Sequence, residues 1–443
     1  MRKEEVPVYV VNLALKLGAT DASANIIEDD RTMIRFSNNE ITISKASKEV
    51  LLGLFVMIEK HRATTTVPLS SLPNTKKAAK NLVRAAQTTP PADVYAPLPS
   101  GPFQYDPKLL GASKLPLSPD KLTGYVRDAV DGALEEGAEK VAGTLVATKT
   151  RSTLATSGQV SVTQEKSGLE MSIRAFTSDI ASGHSVSVSS GQEEFSPSQA
   201  GREAGRIAKA ASEPEQGRPG KFTALLGPLV FADLVSQVGR LSSAFQVLVG
   251  RSFLADKLGS EVSCAKFTLV DDPTDEGSYG ARAFDDEGVP TRRNAIIDRG
   301  VLKTYLHNSA TAKRFGVETT ANAGLIMPHP WNLTVVAGDR SFSQLLAEID
   351  EGIYVTNDWY LRYQNYRTGD FSTIPRDGMF LIRNGEIKTS IRELRISDNM
   401  LRIFRSITGL SDSRQWVKWW EVAVPTLTPY AVVEDMIFTK SGM

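Results

Sequence analysis

Acidic side chains are concentrated in one stretch of the chain, 270-VDDPTDEGSYGARAFDDEG-288. Near its end stand the consecutive residues Asp285, Asp286 and Glu287. Carboxylates this close together can hold a hard cation or act as acid and base in a hydrolysis. Asp-Pro and Asp-Glu-Gly are also turn sequences, in which carboxylates accept hydrogen bonds from free backbone donors. The spacing favours the turn interpretation, and it does not match an EF-hand.

Other nucleophiles and metal ligands are sparse. The four histidines, His61, His184, His307 and His329, include no two that lie three to five residues apart, so no local metal pair is indicated. The single cysteine, Cys264, excludes an internal disulfide and sits in an apolar, strand-like run typical of a buried thiol. The sequence contains no GxSxG elbow, no Walker loop and no GxGxxG motif.

Aromatic residues form two further candidate clusters. One includes Trp359 and Tyr363, and it also contains Tyr360, Tyr366 and two arginines. The other, 416-WVKWWEV-422, places three tryptophans within five residues. Such groups can line a ligand cleft, and they can equally pack a strand-rich core or a subunit interface. The sequence leaves both interpretations open.

Composition narrows the classes of partner. The 443 residues include 51 basic and 51 acidic side chains, so no net charge favours nucleic acid or an anionic membrane. No run approaches the roughly 18 apolar residues that a membrane span requires. The amino-terminal segment is charged and then amphipathic, unlike a signal peptide. We expect a cytoplasmic protein that binds neither nucleic acid nor membrane.

Shifts in composition divide the chain into four segments. Residues 1–89 predict a helix-plus-sheet unit, and the proline-rich residues 90–118 predict an extended connector. Residues 119–219 predict a helix followed by an antiparallel meander, ending in the polar run 212-SEPEQGRPG-220. Residues 220–443 predict a strand-rich domain. The expected class is α+β, with a mostly antiparallel amino-terminal sheet and a barrel- or sandwich-like carboxy-terminal domain.

One helix in the last segment differs from the others. It begins at Pro228, and its apolar residues cover most of its circumference, as in a helix buried on nearly all sides. Two short turns are also predicted there, at Asp298–Gly300 and at Asn384-Gly385 between apolar strands.

Together these blocks resemble the TldD/PmbA family, also called modulators of DNA gyrase. The resemblance is carried by 251-RSFLADKLGSEV-262, 270-VDDP-273, 284-FDDEGVPTRRNAIIDRGVLKTYL-306, 352-GIYVT-356, 368-TGDFS-372, 380-FLIRNGEI-387 and 424-VPTL-427. A weaker match covers 9-YVVNLALKLGATDA-22 and 37-SNNEIT-42. The resemblance therefore spans nearly the whole chain, and its DDEG-to-GVLKTYL block is the most specific part.

The resemblance implies a two-subunit zinc peptidase. One subunit type carries HExxxH on a helix and a cysteine near the carboxyl terminus, and the other type lacks the metal site. In this chain Phe231 and Ser236 stand at the two histidine positions, and Ala232 stands at the glutamate position. The segment 412-DSRQWVKWWEV-422 offers no cysteine. The chain therefore resembles the metal-free type, with no catalytic residue or metal of its own.

The function implied is that of a zinc-less partner subunit acting on unfolded or short peptides. Its partner would be an HExxxH-bearing relative that holds the zinc, with a homodimer as a further option. The candidate cleft or partner-site residues are Asp285, Asp286, Glu287, Arg292, Trp359 and Tyr363. Two alternatives stay open, a peptide-binding homo-oligomer without activity and a stand-alone hydrolase that uses these carboxylates.

Overall fold

The computed structural model of the chain describes residues 2–111, 115 and 118–441. The helices are α1 Val6–Lys16, α2 Leu72–Thr88, α3 Pro107–Leu110, α4 Pro119–Glu135, α5 Pro197–Ala210, α6 Pro228–Leu241, α7 Ala244–Leu248, α8 Ser309–Phe315, α9 Phe342–Ala347 and α10 Met400–Arg405. The amino-terminal strands are β1 Asp21–Ser37, β2 Glu40–Ile58, β3 His61–Pro68, β4 Lys140–Thr156, β5 Ser161–Phe176 and β6 Ser182–Ser189.

The remaining strands belong to the carboxy-terminal half. They are β7 Glu215–Gln216, β8 Gly220–Leu226, β9 Leu269–Asp271, β10 Asn294–Asp298, β11 Val301–Leu302, β12 Leu333–Val335, β13 Glu351–Asn365, β14 Asp370–Arg383, β15 Glu386–Arg392, β16 Leu394–Asn399, β17 Ile407–Val417 and β18 Thr426–Lys440. The mixture of helices with a mostly antiparallel first sheet and a strand-rich second half confirms the expected α+β class.

The first six strands form one antiparallel sheet in the order β3-β2-β1-β4-β5-β6. Strand β1 pairs with β2 on one side and with β4 on the other, from Ser23↔Thr156 to Phe36↔Gly143. The segments 1–89 and 119–219, predicted as separate units, therefore share a single sheet. Local periodicity does not reveal this, because the pairing of β1 with β4 joins residues more than 100 positions apart.

Helices cover one face of this sheet in two pairs. α1 and α2 pack on β1 and β2 through alternating small and branched residues such as Ala22, Ala24 and Leu52. α4 and α5 pack on β4 and β5, and they approach each other closely at Gly201. A side-chain carbon at Gly201 would lie 1.9 Å from the carbonyl oxygen of Ala129, so only glycine allows this helix crossing.

The proline-rich connector crosses the opposite face of the sheet. Tyr95 and Leu98 are held there by Asp21, which accepts hydrogen bonds from the Tyr95 hydroxyl (2.8 Å) and the Leu98 amide (3.2 Å). Leu98 also packs on Phe55 and Met57 of β2. The predicted connector extends to residue 118, and its positions 112–114, 116 and 117 lie outside the described residues.

The carboxy-terminal strands form a second, 12-stranded sheet. Within it β8 pairs with β13, β13 with β14, β14 with β16, β16 with β18, and β18 with β8. These five pairings close a ring, so this part of the sheet is a barrel. The hairpin turns predicted at Asp298–Gly300 and Asn384-Gly385 connect β10 to β11 and β14 to β15, with positive φ at Arg299, Gly300, Asn384 and Gly385.

The helix predicted to begin at Pro228 is α6, and it is buried as expected. Gly227 precedes it in extended conformation and Pro228 occupies its first turn, where the missing amide hydrogen costs nothing. The helix contacts β12, β13, β17 and β18, so sheet elements surround it. Within the described residues, no helix combines the length and apolarity needed to cross a membrane.

Candidate functional site

The three positions aligned with the zinc motif lie in the interior of α6. Phe231 and Ala232 are fully buried, and Ser236 is 6% exposed. The Phe231 ring lies 6.1 Å from that of Phe267 and 6.0 Å from that of Phe404. The site that would hold histidine in a zinc-binding relative is therefore filled by aromatic core.

The segment aligned with the third ligand does reach this helix. Ala232 packs in one apolar cluster with Val417, Trp419 and Val422. The side chains at these positions are methyl, isopropyl and indole groups, none of which binds zinc. Across residues 2–111, 115 and 118–441, no group of three His, Cys, Asp or Glu side chains is arranged to hold a metal ion. The residues present therefore do not fit the zinc of the family.

Three carboxylates lie on or beside α6: the buried Asp233 and Asp358, and the half-buried Glu421. Asp233 is fully buried, and its Oδ1 accepts a hydrogen bond from Gln237 at 3.3 Å. Asp358 on β13 is also fully buried, and its Oδ2 accepts from Thr373 at 2.9 Å. In the described part of the chain, neither Asp233 Oδ2 nor Asp358 Oδ1 has a hydrogen-bond partner. Glu421 accepts a hydrogen bond from the Tyr360 amide at 2.5 Å. Acidic groups are rarely this buried without compensation.

Burial determines the protonation of this acidic pair. Loss of hydration, and then the neighbouring Glu421 charge, raise the pKa of Asp233 to about 7. Loss of hydration, and then the Asp233 charge, raise the pKa of Asp358 well above its usual range. Near neutral pH at least one of the two side chains is therefore a neutral carboxylic acid, which can donate as well as accept a hydrogen bond.

Aromatic rings connect these carboxylates to the surface. The rings of Trp359 and Trp419 lie 6.0 Å apart, and Trp420 lies 5.3 Å from Trp359 and 5.6 Å from Tyr360. Trp420 is 55% exposed and Tyr360 42%, whereas Trp419 is buried. Among the described residues, the indole N–H groups of Trp359 and Trp419 and the hydroxyl of Tyr363 have no hydrogen-bond partner. The predicted cleft residues Trp359 and Tyr363 thus lie beside the acidic pair.

The acidic block 285–287 lies elsewhere and serves as loop structure. Asp285 is buried and accepts hydrogen bonds from the amides of Glu287 (3.0 Å), Val289 (2.9 Å) and Ala323 (3.0 Å). Glu287 accepts from the amide (3.0 Å) and hydroxyl (2.5 Å) of Ser309, at the start of α8. These are the backbone-capping contacts that turn sequences provide.

The other two candidates are more exposed. Asp286 forms an ion pair of 3.1 Å with Arg282, whose guanidinium lies 3.7 Å from the centre of the Trp331 ring. Arg292 lies 4.0 Å from Glu318 on the surface. No hydrogen bond, ion pair or ring contact joins this group to Trp359 or Tyr363 in the part of the chain that the structure describes. The six candidate residues thus form two separate groups.

A buried histidine network was not predicted from the sequence. The Ser172 hydroxyl lies 2.9 Å from Nε2 of His184, and Asn357 Nδ2 donates to His184 Nδ1 (2.9 Å) and to Asp377 (2.8 Å). Arg174 Nε donates to the same carboxylate at 2.8 Å. The network joins β5 and β6 of the first sheet to β13 and β14 of the second.

This network has the composition of a hydrolase triad but the wrong proton arrangement. The Asp377 carboxylate requires Asn357 to present its amide N–H groups, so Nδ1 of His184 accepts a hydrogen bond from Asn357 and the ring proton is on Nε2. Nε2 then donates to Ser172 and cannot remove its proton. Burial lowers the pKa of His184 to about 4, which keeps the ring neutral. The geometry indicates a structural bridge between the two sheets.

Asp233, Asp358 and Glu421 were also missed, although one signal pointed to the first. Asp233 is the sole acidic residue of α6 and stands within its apolar first half, where an isolated carboxylate is anomalous. Asp358 and Glu421 give no comparable signal, because both stand among polar and aromatic neighbours. Their proximity to α6 depends on tertiary structure.

Comparison with known proteins gives a consistent family assignment. The sequence profile of the PmbA/TldA metallopeptidase C-terminal domain matches residues 219–440. A metalloprotease of Methanocaldococcus jannaschii is 34% identical over 216 residues, 46% of each chain. PmbA of Escherichia coli is 30% identical over 220 residues, 47% of each chain. The aligned regions thus span about half the length of these curated relatives.

Solved structures share the fold over nearly the whole chain. TldE from Thermococcus kodakarensis has a TM-score of 0.85 at 20% identity, covering 98% of this chain and 100% of that one. A candidate modulator of DNA gyrase from Thermotoga maritima has a TM-score of 0.84 at 22% identity, covering 99% and 100%. The structural likeness establishes the fold, and the profile match covers half of the sequence. The chain therefore belongs to the PmbA/TldD family of metallopeptidase-like proteins.

Proposed function

We propose that this chain is the metal-free subunit of a cytoplasmic two-subunit metallopeptidase that acts on unfolded or short peptides. Its partner would be a relative that carries HExxxH and binds the zinc. The observation that carries the proposal is the interior of α6, where Phe231 and Ala232 are fully buried in apolar core. A helix in such an apolar environment offers no partners for two imidazoles and a water-activating carboxylate, which zinc binding and catalysis require.

In this proposal the chain contributes binding surface rather than chemistry. The aromatic residues Trp420 and Tyr360 are exposed next to buried carboxylates, which is the composition of a protein or peptide contact rather than of solvated surface. Pairing with a zinc-bearing relative would close a chamber that an extended peptide can enter and a folded protein cannot. Catalytic groups would come from the partner alone.

A second candidate, a peptide-binding homo-oligomer, is favoured by one groove. Strand β6 ends the first sheet, and a cavity of about 360 Å³ lies beside its contact with β17. The Gln415 side chain donates to the Val186 carbonyl at 3.0 Å, as a backbone amide of an added strand would. An extended peptide that displaces this side chain can bind the edge by adding a strand. The third candidate is a hydrolase based on the acidic block. It is disfavoured because the carboxylates of Asp285 and Glu287 already accept hydrogen bonds from backbone amides.

Affinity purification from the native cell distinguishes the first two candidates. The chain is tagged at its own locus, purified at mild salt, and the eluted proteins are identified and quantified by mass spectrometry. The partner-subunit proposal predicts a roughly equimolar relative with an intact HExxxH motif. Recovery of the chain alone, as a homo-oligomer that takes up peptide, would contradict that proposal and support the binding protein.

A further inference from the structure

A cavity of about 320 Å³ lies between the amino-terminal sheet and the loops of the carboxy-terminal half. Its floor is the face of β1, β2 and β3 that α1 and α2 do not cover, and its roof includes Leu325, Ile326 and Asp286. Small-ligand sites commonly have this volume and lie between structural units. The cavity is separate from the aromatic cluster beside α6.

The floor of this cavity is deep because one strand residue has no side chain. Gly53 on β2 pairs with Asn25 on β1 and with Thr66 on β3, so these three residues face the same side. A Cβ atom built on Gly53 would lie 3.7 Å from its nearest neighbour, the Asn25 carbonyl oxygen. Neither steric crowding nor backbone conformation therefore demands glycine here. Its absent side chain leaves the space open.

The cavity walls are chemically asymmetric. Ile27, Leu154 and Leu325 provide an apolar surface, and Asp286 is the one charged residue among the described lining residues. Asp286 Oδ1 is paired with Arg282, and its Oδ2 makes no hydrogen bond to any residue that the structure describes. Arg282 is itself fixed by a bond of 2.7 Å to the Phe284 carbonyl and by the Trp331 ring. One carboxylate oxygen therefore remains available to a cationic ligand.

A neutral donor lines the same cavity as the carboxylate. The Oδ1 of Asn25 accepts a hydrogen bond from Ser152 at 2.9 Å, and its Nδ2, which has no hydrogen-bond partner among the described residues, can donate to a carbonyl oxygen. The cavity thus presents a carboxylate for an ammonium group, an amide donor for a carbonyl, and an apolar floor. An α-amino acyl group with an aliphatic side chain carries all three complementary features.

We propose that this cavity binds the amino-terminal residue of a peptide, or a free α-amino amide, with an aliphatic side chain of about leucine size. The ammonium group would pair with Asp286, the carbonyl would accept from Asn25, and the side chain would lie over Gly53 against Leu154 and Leu325. This inference does not depend on the partner-subunit proposal, because the purified chain alone is sufficient to test it.

The test is isothermal titration calorimetry of the purified chain with three probes: L-leucinamide, the tetrapeptide Leu-Gly-Gly-Gly, and N-acetyl-L-leucinamide. We expect the first to bind and the acetylated probe, which has no ammonium group, to bind at least about tenfold more weakly. Binding of the tetrapeptide as well would identify peptide amino termini as the source. Binding of leucinamide alone would restrict the ligand to free amino amides. Equal binding of the acetylated probe, or no binding of any probe, would overturn the proposal.

Two variants locate the binding. Gly53→Val fills the floor with a residue that strands favour, and it should abolish leucinamide binding without changing the midpoint of thermal unfolding by more than a few degrees. Asp286→Asn retains the shape of the cavity and should weaken binding at least about tenfold. Asp298→Asn, at a surface turn away from the cavity, is the matched control and should bind as the parent does. Unchanged binding by both cavity variants would contradict the assignment.

Discussion

Replacing Asp233 by asparagine is expected to stabilise the protein at pH 8 and to leave its stability at pH 4 nearly unchanged. Burial raises the pKa of Asp233 to about 7, against about 3.8 for the unfolded chain. The folded protein therefore holds a proton that the unfolded chain releases, and this contribution to stability is lost as the pH rises from about 4 through 7. Asparagine carries no charge at any of these pH values, so the variant avoids the loss.

The expected gain at pH 8 is on the order of 2–4 kcal/mol in the free energy of unfolding, since one pKa unit corresponds to about 1.4 kcal/mol. Urea unfolding at pH 4, 6 and 8 measures it, with Asp298→Asn on the surface as the matched control. A gain of equal size at all three pH values would contradict the account, because it would not arise from titration. No gain at pH 8 would show that the Asp233 carboxylate is compensated.

Asp358 makes this prediction sharper. After the loss of hydration, the Asp233 charge raises the pKa of Asp358 further above its usual range. Asp233→Asn should therefore lower the pKa of Asp358, and the two substitutions together should stabilise less than the sum of their separate effects. Such a buried acidic pair lowers the stability of the folded protein. Selection retains a feature of this kind more readily at a functional site than in a purely structural hydrophobic core.

Restoring the zinc motif is expected to damage the protein rather than to create a peptidase. The change is Phe231→His, Ala232→Glu and Ser236→His in one chain. Phe231→His should cost about 3–5 kcal/mol, because the smaller polar ring replaces one packed between Phe267 and Phe404. Ala232→Glu places a carboxylate among Val417, Trp419 and Val422, at a further cost of several kcal/mol.

Urea unfolding of each single variant measures these losses, and zinc analysis of the soluble triple variant measures metal binding. Ser236→Ala is the control, and its change should stay within about 1 kcal/mol, since the Ser236 hydroxyl makes no hydrogen bond within the described part of the chain. The account predicts no stoichiometric zinc in the triple variant. A stable triple variant with one zinc per chain would show that the helix still has a complete ligand environment.

Local chemistry made several elements of the fold predictable. Asn384-Gly385 predicts a hairpin because both residues tolerate the positive φ that the turn between β14 and β15 requires. The apolar circumference of the helix after Pro228 likewise predicts burial. In each case the signal and the structure lie within the same few residues.

Long-range arrangement was not predictable in the same way. The pairing of β1 with β4 joins two segments that the proline-rich connector separates in sequence. The His184 network draws its partners from β5, β13 and β14, and none of these residues signals the others. The acidic pair of Asp233 and Asp358 depends on the approach of α6 to β13. Local spacing cannot reveal contacts that form only in the tertiary structure.

The assignment of this chain as the metal-free subunit is tested by measuring zinc and peptide cleavage in three samples: this chain, its HExxxH-bearing relative, and the two mixed in equal amounts. Zinc is counted per chain by elemental analysis, and cleavage is followed with an unfolded peptide substrate. The account predicts no bound zinc and no cleavage for this chain alone, and one zinc and strong cleavage for the mixture. One zinc in this chain alone, or cleavage by it that a chelator abolishes, would contradict the claim that it is the metal-free subunit.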